Sequence, residues 1–189
     1  MSSALLVMDV QQGTVERLGG DTALLDRLAR AVAAARAAKV PVIHVRVAFR
    51  PGFPEVSRNN RTFSLLAETA GDGFGEDSPR TRIHPAVAPL PGEPVVLKKR
   101  ISAFVGSDLE VVLRSLGVSR LVLTGIATSG VVLSTLREAA DRDFQLTVLA
   151  DGCADGDAEV HRVLTEKVFP RQADVISVAQ WTDGLRTDH

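Results

Sequence analysis

The apolar positions along the chain fall into short blocks that switch between two periods. Residues 4–10 form a nearly continuous apolar run with β-branched content, broken by Asp9, which predicts a first strand. Residues 21–38 carry Leu24, Leu25, Leu28, Val32 and Ala35 at helical spacing, with Asp21 placed to cap the start. Residues 40–49 read as a second strand, interrupted by Pro41, His44 and Arg46. From residue 50 to 94 the pattern weakens: Pro and Gly recur, residues 58–61 are polar, and only 62–69 predicts a short helix. Order resumes with strands over 95–99, 120–126, 145–150 and 173–177. Helices alternate with them over 108–116, 130–142 and 157–168, and a short terminal helix follows. Strands that alternate with helices imply right-handed crossovers and a parallel sheet. The expected fold class is α/β, a three-layer α-β-α sandwich with a central parallel sheet of about six strands, and residues 1–189 read as a single domain.

A stretch as long as 50–94 without strong periodicity reads in two ways, as a cover over a site or as a surface excursion with no role. Composition narrows the partners. With 45% hydrophobic and 24% charged residues and a formal net charge of −1, the chain has no electrostatic footprint for nucleic acid or an anionic membrane, and neither is expected. The first apolar run lacks a basic flank, is too short to span a bilayer and contains Asp9, so a cytoplasmic protein is expected. Cys153 is the only cysteine, which excludes an internal disulfide; no CxxC pair or Cys/His cluster is present, and neither metal nor cofactor is expected.

Open parallel sheets bind ligands in the crevice beyond the carboxyl ends of their strands. Three separated segments therefore converge on one crevice: Asp9 at the end of the first strand, Lys98 at the end of the 95–99 strand, and the 127–131 link. Aspartate emerging from an apolar strand needs a partner, because desolvating its charge is expensive, and Lys98 is the natural one. Taken alone, Asp9 reads equally as a cap or turn residue, and Lys98, Lys99 and Arg100 as a basic surface cluster.

Four segments together change that balance. They are Leu5-Leu6-Val7-Met8-Asp9-Val10-Gln11, Lys98-Lys99-Arg100-Ile101-Ser102-Ala103-Phe104, Thr124-Gly125-Ile126-Ala127-Thr128-Ser129-Gly130 and Asp151-Gly152-Cys153-Ala154-Asp155. In this order they resemble the isochorismatase-like hydrolase family over nearly the whole chain. Many members of that family are cysteine hydrolases of amides, in which an Asp and a Lys generate a thiolate that attacks the carbonyl. The resemblance matches the Asp to Asp9 and the Lys to Lys98, but Val131 stands at the nucleophile position. Cys153 lies in a turn resembling a segment without catalytic residues and reads as a small buried side chain.

The isochorismatase branch resembles the chain without requiring a cysteine. It hydrolyses a vinyl ether, which a positioned carboxylic acid activates by protonating the terminal carbon. The resemblance implies Asp9 as general acid and Lys98 as its partner, acting on a small carboxylated metabolite. Two alternatives stay open: a cysteine-independent amide or ring hydrolase that activates water, and a catalytically silent ligand-binding relative. An ammonium beside Asp9 lowers its pKa while burial raises it, and the sequence does not decide between them.

The family resemblance further implies a cis peptide at Ile126-Ala127 and an oxyanion-binding turn that includes Ile126, Ala127, Gly130 and Val131. Thr128 or Ser129 is expected to cap the following helix, and Ser129 is also a substrate-binding candidate. Gln11 points to the same side as Asp9 in an extended chain, and with Arg100 it completes the candidate substrate contacts. Arg46, Arg58, Arg61 and Arg82 are further candidates for binding carboxylates. The zinc-binding members' Asp-x-His pattern is absent from residues 45–50, and His44, His84 and His161 read as structural. A homo-oligomer, dimer or tetramer, is the family expectation.

Overall fold

The computed structural model describes residues 2–187; Met1, Asp188 and the terminal His189 lie outside the described residues. In chain order the strands are β1 (Ser2–Met8), β2 (Val42–Val47), β3 (Val95–Lys98), β4 (Val118–Ile126), β5 (Gln145–Ala154) and β6 (Asp174–Ile176). The helices are α1 (Gln12–Arg17), α2 (Thr22–Ala37), α3 (Arg61–Thr69), α4 (Leu109–Ser115), α5 (Leu133–Asp141), α6 (Ala158–Val163) and α7 (Val178–Thr187). Asp21 caps α2 as expected, accepting a 3.0 Å hydrogen bond from the Leu24 amide.

All six strands are parallel, in the order β3-β2-β1-β4-β5-β6. The apolar run explains why β1 is central: Leu5, Leu6, Val7 and Met8 are buried on both faces. One face packs Leu5 and Val7 against Leu24, Leu25 and Leu28 of α2 and Val178 of α7. The other packs Leu6 and Met8 with Leu109 and Leu113 of α4 and Leu136 and Ala139 of α5. Helices thus cover both faces in three layers. Chain order proceeds outward from β1 to β3, then resumes at β4 on the other side of β1, so the topological switch lies between β1 and β4.

The structure adds α1, which the sequence pattern does not predict, and extends β5 four residues past the expected end. After the register shift between Leu123 and Gly125, Cys153 pairs with Gly125 and Ala154 with Ile126, so residues 149–152 stand opposite Thr124 as a bulge within the strand. The 50–94 segment contains α3 and three 3₁₀ turns, and Phe49 and Phe63 meet edge-on at 5.4 Å in a small separate core.

Candidate active site

Asp9 follows the last residue of β1 with φ of 54°, a left-handed conformation that turns the chain sharply out of the sheet. Its amide donates to Val45 O at 2.8 Å, so the turn stays tied to β2. Lys98 ends β3, with its Nζ 2.9 Å from Asp9 Oδ2 and 2.9 Å from Arg100 O. Both side chains are secluded: Asp9 is 8% exposed and Lys98 2%. Asp9 Oδ1 is buried without a hydrogen-bond partner. Burial pushes the Asp9 carboxyl above its ordinary pKa, outweighing the opposing pull of Lys98 and the weaker one of Arg17.

The third segment arrives from β4. Gly125 has φ of 141°, and a Cβ there would lie 2.1 Å from Met8 O, so only glycine permits β4 to pass the end of β1 this closely. The Ile126-Ala127 peptide is cis. A wide turn over Thr128–Val132 follows, broken at Gly130 with φ −97° and ψ −105°. Val131 is 2% exposed and packs with Met8, Val132 and Leu136 in the core. A branched hydrocarbon therefore fills the position that the resemblance matches to the nucleophile.

Several expected roles change at this turn. Neither Thr128 nor Ser129 caps the helix: Thr128 Oγ1 is instead bonded to His161 Nδ1 at 2.8 Å. The Ser129 amide donates to Asp155 Oδ2 at 2.7 Å, so a residue from the next loop supplies the cap. The Gly130 amide donates to Ala127 O at 3.1 Å, which removes it from the set of free oxyanion donors. The Ser129 side chain is exposed.

Gln11 also takes a different role from the expected substrate contact. Its Nε2 donates to Val47 O at 3.0 Å and Thr81 O at 2.8 Å, while its Oε1 accepts from the Val47 amide at 3.0 Å. The buried amide is fully engaged in clamping the end of β2 and the 50–94 segment to β1. Arg100 donates to Lys99 O at 2.6 Å and Arg46 to Glu76 O at 3.1 Å, whereas Arg58, Arg61 and Arg82 are exposed. Lys99 anchors the same segment, bonding Ala48 O and Glu76 Oε1 at 2.7 Å each.

Cys153 is buried, its thiol pushed up to about 12 by desolvation. His44 is fully buried and bonds Glu93 at 3.1 Å, and His84 accepts from the Ala86 amide. Among the described residues, no group of three or more His, Cys, Asp and Glu is arranged to hold a metal ion, and no helix is long and apolar enough to cross a membrane.

The family model described as isochorismatase domain matches residues 3–180. A ureidoacrylate amidohydrolase of Methylobacterium radiotolerans is 36% identical over 202 aligned residues, covering 96% of this chain and 78% of that one. An uncharacterised isochorismatase family protein of Escherichia coli O157:H7 is 31% identical, covering 97% and 96%. Among solved structures, an isochorismatase family protein of Burkholderia thailandensis gives a TM-score of 0.84 at 29% identity, covering 98% of this chain and 96% of that one. A cysteine hydrolase of Pseudomonas syringae pv. phaseolicola gives 0.89 at 22% identity, covering 99% and 93%, and shares the fold.

Proposed function

The chain belongs to the isochorismatase family, and from that premise we propose that it is a hydrolase of a small carboxylated vinyl ether, with Asp9 as general acid and Lys98 as its positioning partner. The single observation that carries this reading is the unpartnered Oδ1 of a carboxyl whose pKa is raised by burial. Lys98 donates to Oδ2, so the proton of the neutral acid resides on Oδ1 and faces no competing acceptor. A carboxylic acid whose pKa is raised holds its proton longer, which is what protonation of an alkene carbon requires.

The reaction then proceeds in balanced steps. Asp9 gives its proton to the terminal vinyl carbon, and the electron pair of the double bond forms the new C–H bond. Water adds to the resulting oxocarbenium carbon, and its lost proton returns to the Asp9 carboxylate. The hemiketal then collapses: its C–O bond breaks as the hydroxyl oxygen forms the carbonyl, and the hydroxyl proton passes to the leaving oxygen, giving an alcohol and a 2-oxo acid. No acyl carbon is attacked, so Val131 is no obstacle to the chemistry. Its bulk narrows the space that a glycine would leave, which disfavours the largest substrates.

A second reading is favoured by the amidohydrolase name of the 36% identical relative: hydrolysis of an amide by water that Asp9 activates as base. The deciding experiment presents purified protein with isochorismate and with ureidoacrylate, following pyruvate and ammonia, for wild type, Asp9→Asn and Lys98→Met. Pyruvate release lost in Asp9→Asn supports the vinyl-ether reading. Ammonia release without a covalent adduct by intact mass supports the water-activating amidase. Neither product from any member of a wider panel of enol ethers and amides would sink both and leave a ligand-binding relative. Assembly as a dimer or tetramer belongs to the same proposal, and a monomer by light scattering would remove it.

A further inference from the structure

An acid must touch the atom it protonates, yet Asp9 Oδ1 is shielded from solvent and Lys98 is 2% exposed, so this conformation is a closed one. The segment that borders both residues is 75–84. Beside Asp9 it is laced by main chain and by Gln11: the His84 amide donates to Val10 O at 2.8 Å, the Gln12 amide to Arg82 O at 3.0 Å, and Gln11 Nε2 to Thr81 O at 2.8 Å. Beside Lys98 it is held by the next residue, Lys99, whose Nζ donates to Glu76 Oε1 at 2.7 Å. We propose that residues 75–81 are a gate over the Asp9-Lys98 pair and that Lys99 is its latch, passing from Glu76 in the closed state to Glu55 in the open one; the gate's role in catalysis rests on the hydrolase reading above.

The loop is built to swing as one piece. Thr81 Oγ1 lies 2.8 Å from Gly75 O and 2.9 Å from Ser78 O, so residues 75–81 close on themselves. Their pivot is the clamp at Thr81, made by a Gln11 side chain that is itself buried. The free edge is lighter. There the Phe49 amide donates to Phe74 O at 2.9 Å, the Glu76 amide to Phe49 O at 3.0 Å and Arg46 Nη1 to Glu76 O at 3.1 Å. The Glu76 side chain is 36% exposed, so water is at hand to solvate its carboxylate when the Lys99 bond breaks.

Lys99 is more secluded, at 13% exposed, and an ammonium left there without a carboxylate would hold the gate shut. Glu55 removes that penalty. Its Oε1 is 3.4 Å from Lys99 Nζ and 3.5 Å from Arg50 Nη1, and neither of its buried carboxylate oxygens makes a hydrogen bond. A shift of roughly 0.6 Å would bring Lys99 and Glu55 to the length of a charge-assisted hydrogen bond. Ala48 O, 2.7 Å from Lys99 Nζ, keeps the ammonium in place meanwhile. The closed state pairs Glu76 and leaves Glu55 unsatisfied; the open state hydrates Glu76 and pairs Glu55. One lysine–carboxylate bond exists in each, and this near balance lets a small bias move the population.

The test needs no substrate. Hydrogen exchange at the Phe49 and Glu76 amides, followed by NMR, reads the gate directly, because both bonds cross its free edge. Coupling of a small amine to Asp9 by a carbodiimide, mapped by mass spectrometry, reads access to the acid. In Glu76→Gln both rates should rise about tenfold, the loss of one charge-assisted bond from the closed state. In Glu55→Gln both should fall severalfold, since the open state loses its acceptor. A static ion-pair cluster would loosen in both variants, so effects of the same sign, or none, overturn the latch. The Gln12 and His84 amides at the pivot should keep their wild-type protection; exchange there, or in β1, that keeps pace with Phe49 would mean unfolding and overturn the gate. Asp9 coupling indifferent to both variants, while the amides respond in opposite directions, would sink the access role and leave a mobile loop. A working gate in a protein that turns over no substrate would sink the hydrolase reading alone.

Discussion

A Cβ built on Gly125 would stand 2.1 Å from Met8 O and 2.9 Å from Met8 C, on a backbone with φ of 141°. Gly125→Ala should therefore lose about 3 kcal/mol or more in urea unfolding, since both the contact and the backbone must be relieved. Gly117→Ala, with φ of 62° and nothing within 4 Å, should lose only about 1 kcal/mol. Asp9 makes a second prediction, in pH. Under the proposed general-acid role of Asp9, activity should persist above the ordinary carboxylate range and decline as pH rises through the raised Asp9 pKa. Lys98→Met removes an opposing charge, so the alkaline limb of whatever activity remains should move to higher pH. For stability, the native state holds the Asp9 proton longer than the unfolded chain, so this group's contribution declines with rising pH between the two pKa values. The Asp9-Lys98 pairing was legible because a carboxylate and an ammonium end separate apolar strands. The Gln11 clamp was not, since alternation along an extended chain fails where Asp9 adopts a positive φ.

At the scale of elements, Glu93 shows how a residue outside regular structure joins three parts of the fold. Its carboxylate accepts from Arg36 of α2 at 2.8 Å, from the Leu90 amide at 2.8 Å and from His44 of β2 at 3.1 Å. These donors, Arg36 foremost, hold its pKa down from 4.5 to about 2. The linkage is worth roughly 3 kcal/mol. It is fully present above 4.5 and is lost as pH falls through about 2. Glu93→Gln should remove most of that stability at neutral pH and flatten the acid-side slope, measured by denaturant unfolding across pH 2–6. Elements with long apolar patterns, such as α2, were readable to within a residue. The six residues of α1 were not, because only Thr14 and Val15 are buried and no helical stripe forms. The entry into α5 differs from the pattern for a related reason: the turn before it is tied by Asp155, distant in sequence, to the Ser129 amide, whereas Thr128 and Ser129 have capping chemistry but cap nothing.

For the whole molecule, the alternation of strands and helices was sufficient to anticipate a six-stranded parallel sheet between two helical layers. Strand order was beyond the pattern, because each apolar run pairs equally well with any other until crossovers and loop lengths choose. The two helical layers pack on one continuous sheet, and β1 contributes side chains to both cores. Thermal and urea unfolding followed by Trp181 fluorescence and by far-ultraviolet circular dichroism should therefore give coincident single transitions. Two resolved transitions would divide the chain into separate units.

The position of β1 at the switch between the two halves of the sheet also sets a problem for biosynthesis. This strand pairs with β2 on one side and β4 on the other, yet β4 begins at Val118, more than one hundred residues further along the chain. As the chain leaves the ribosome, β1 can find β2 early, while the edge that will receive β4 stays open through the synthesis of α3, β3 and α4. That edge presents Ala4, Leu5, Leu6, Val7 and Met8, an uncharged and unprotected template for another nascent chain. A polypeptide arrested before residue 118 should therefore depend on chaperones and aggregate when released without them, whereas one extended through Ile126 should close the gap and remain dispersed.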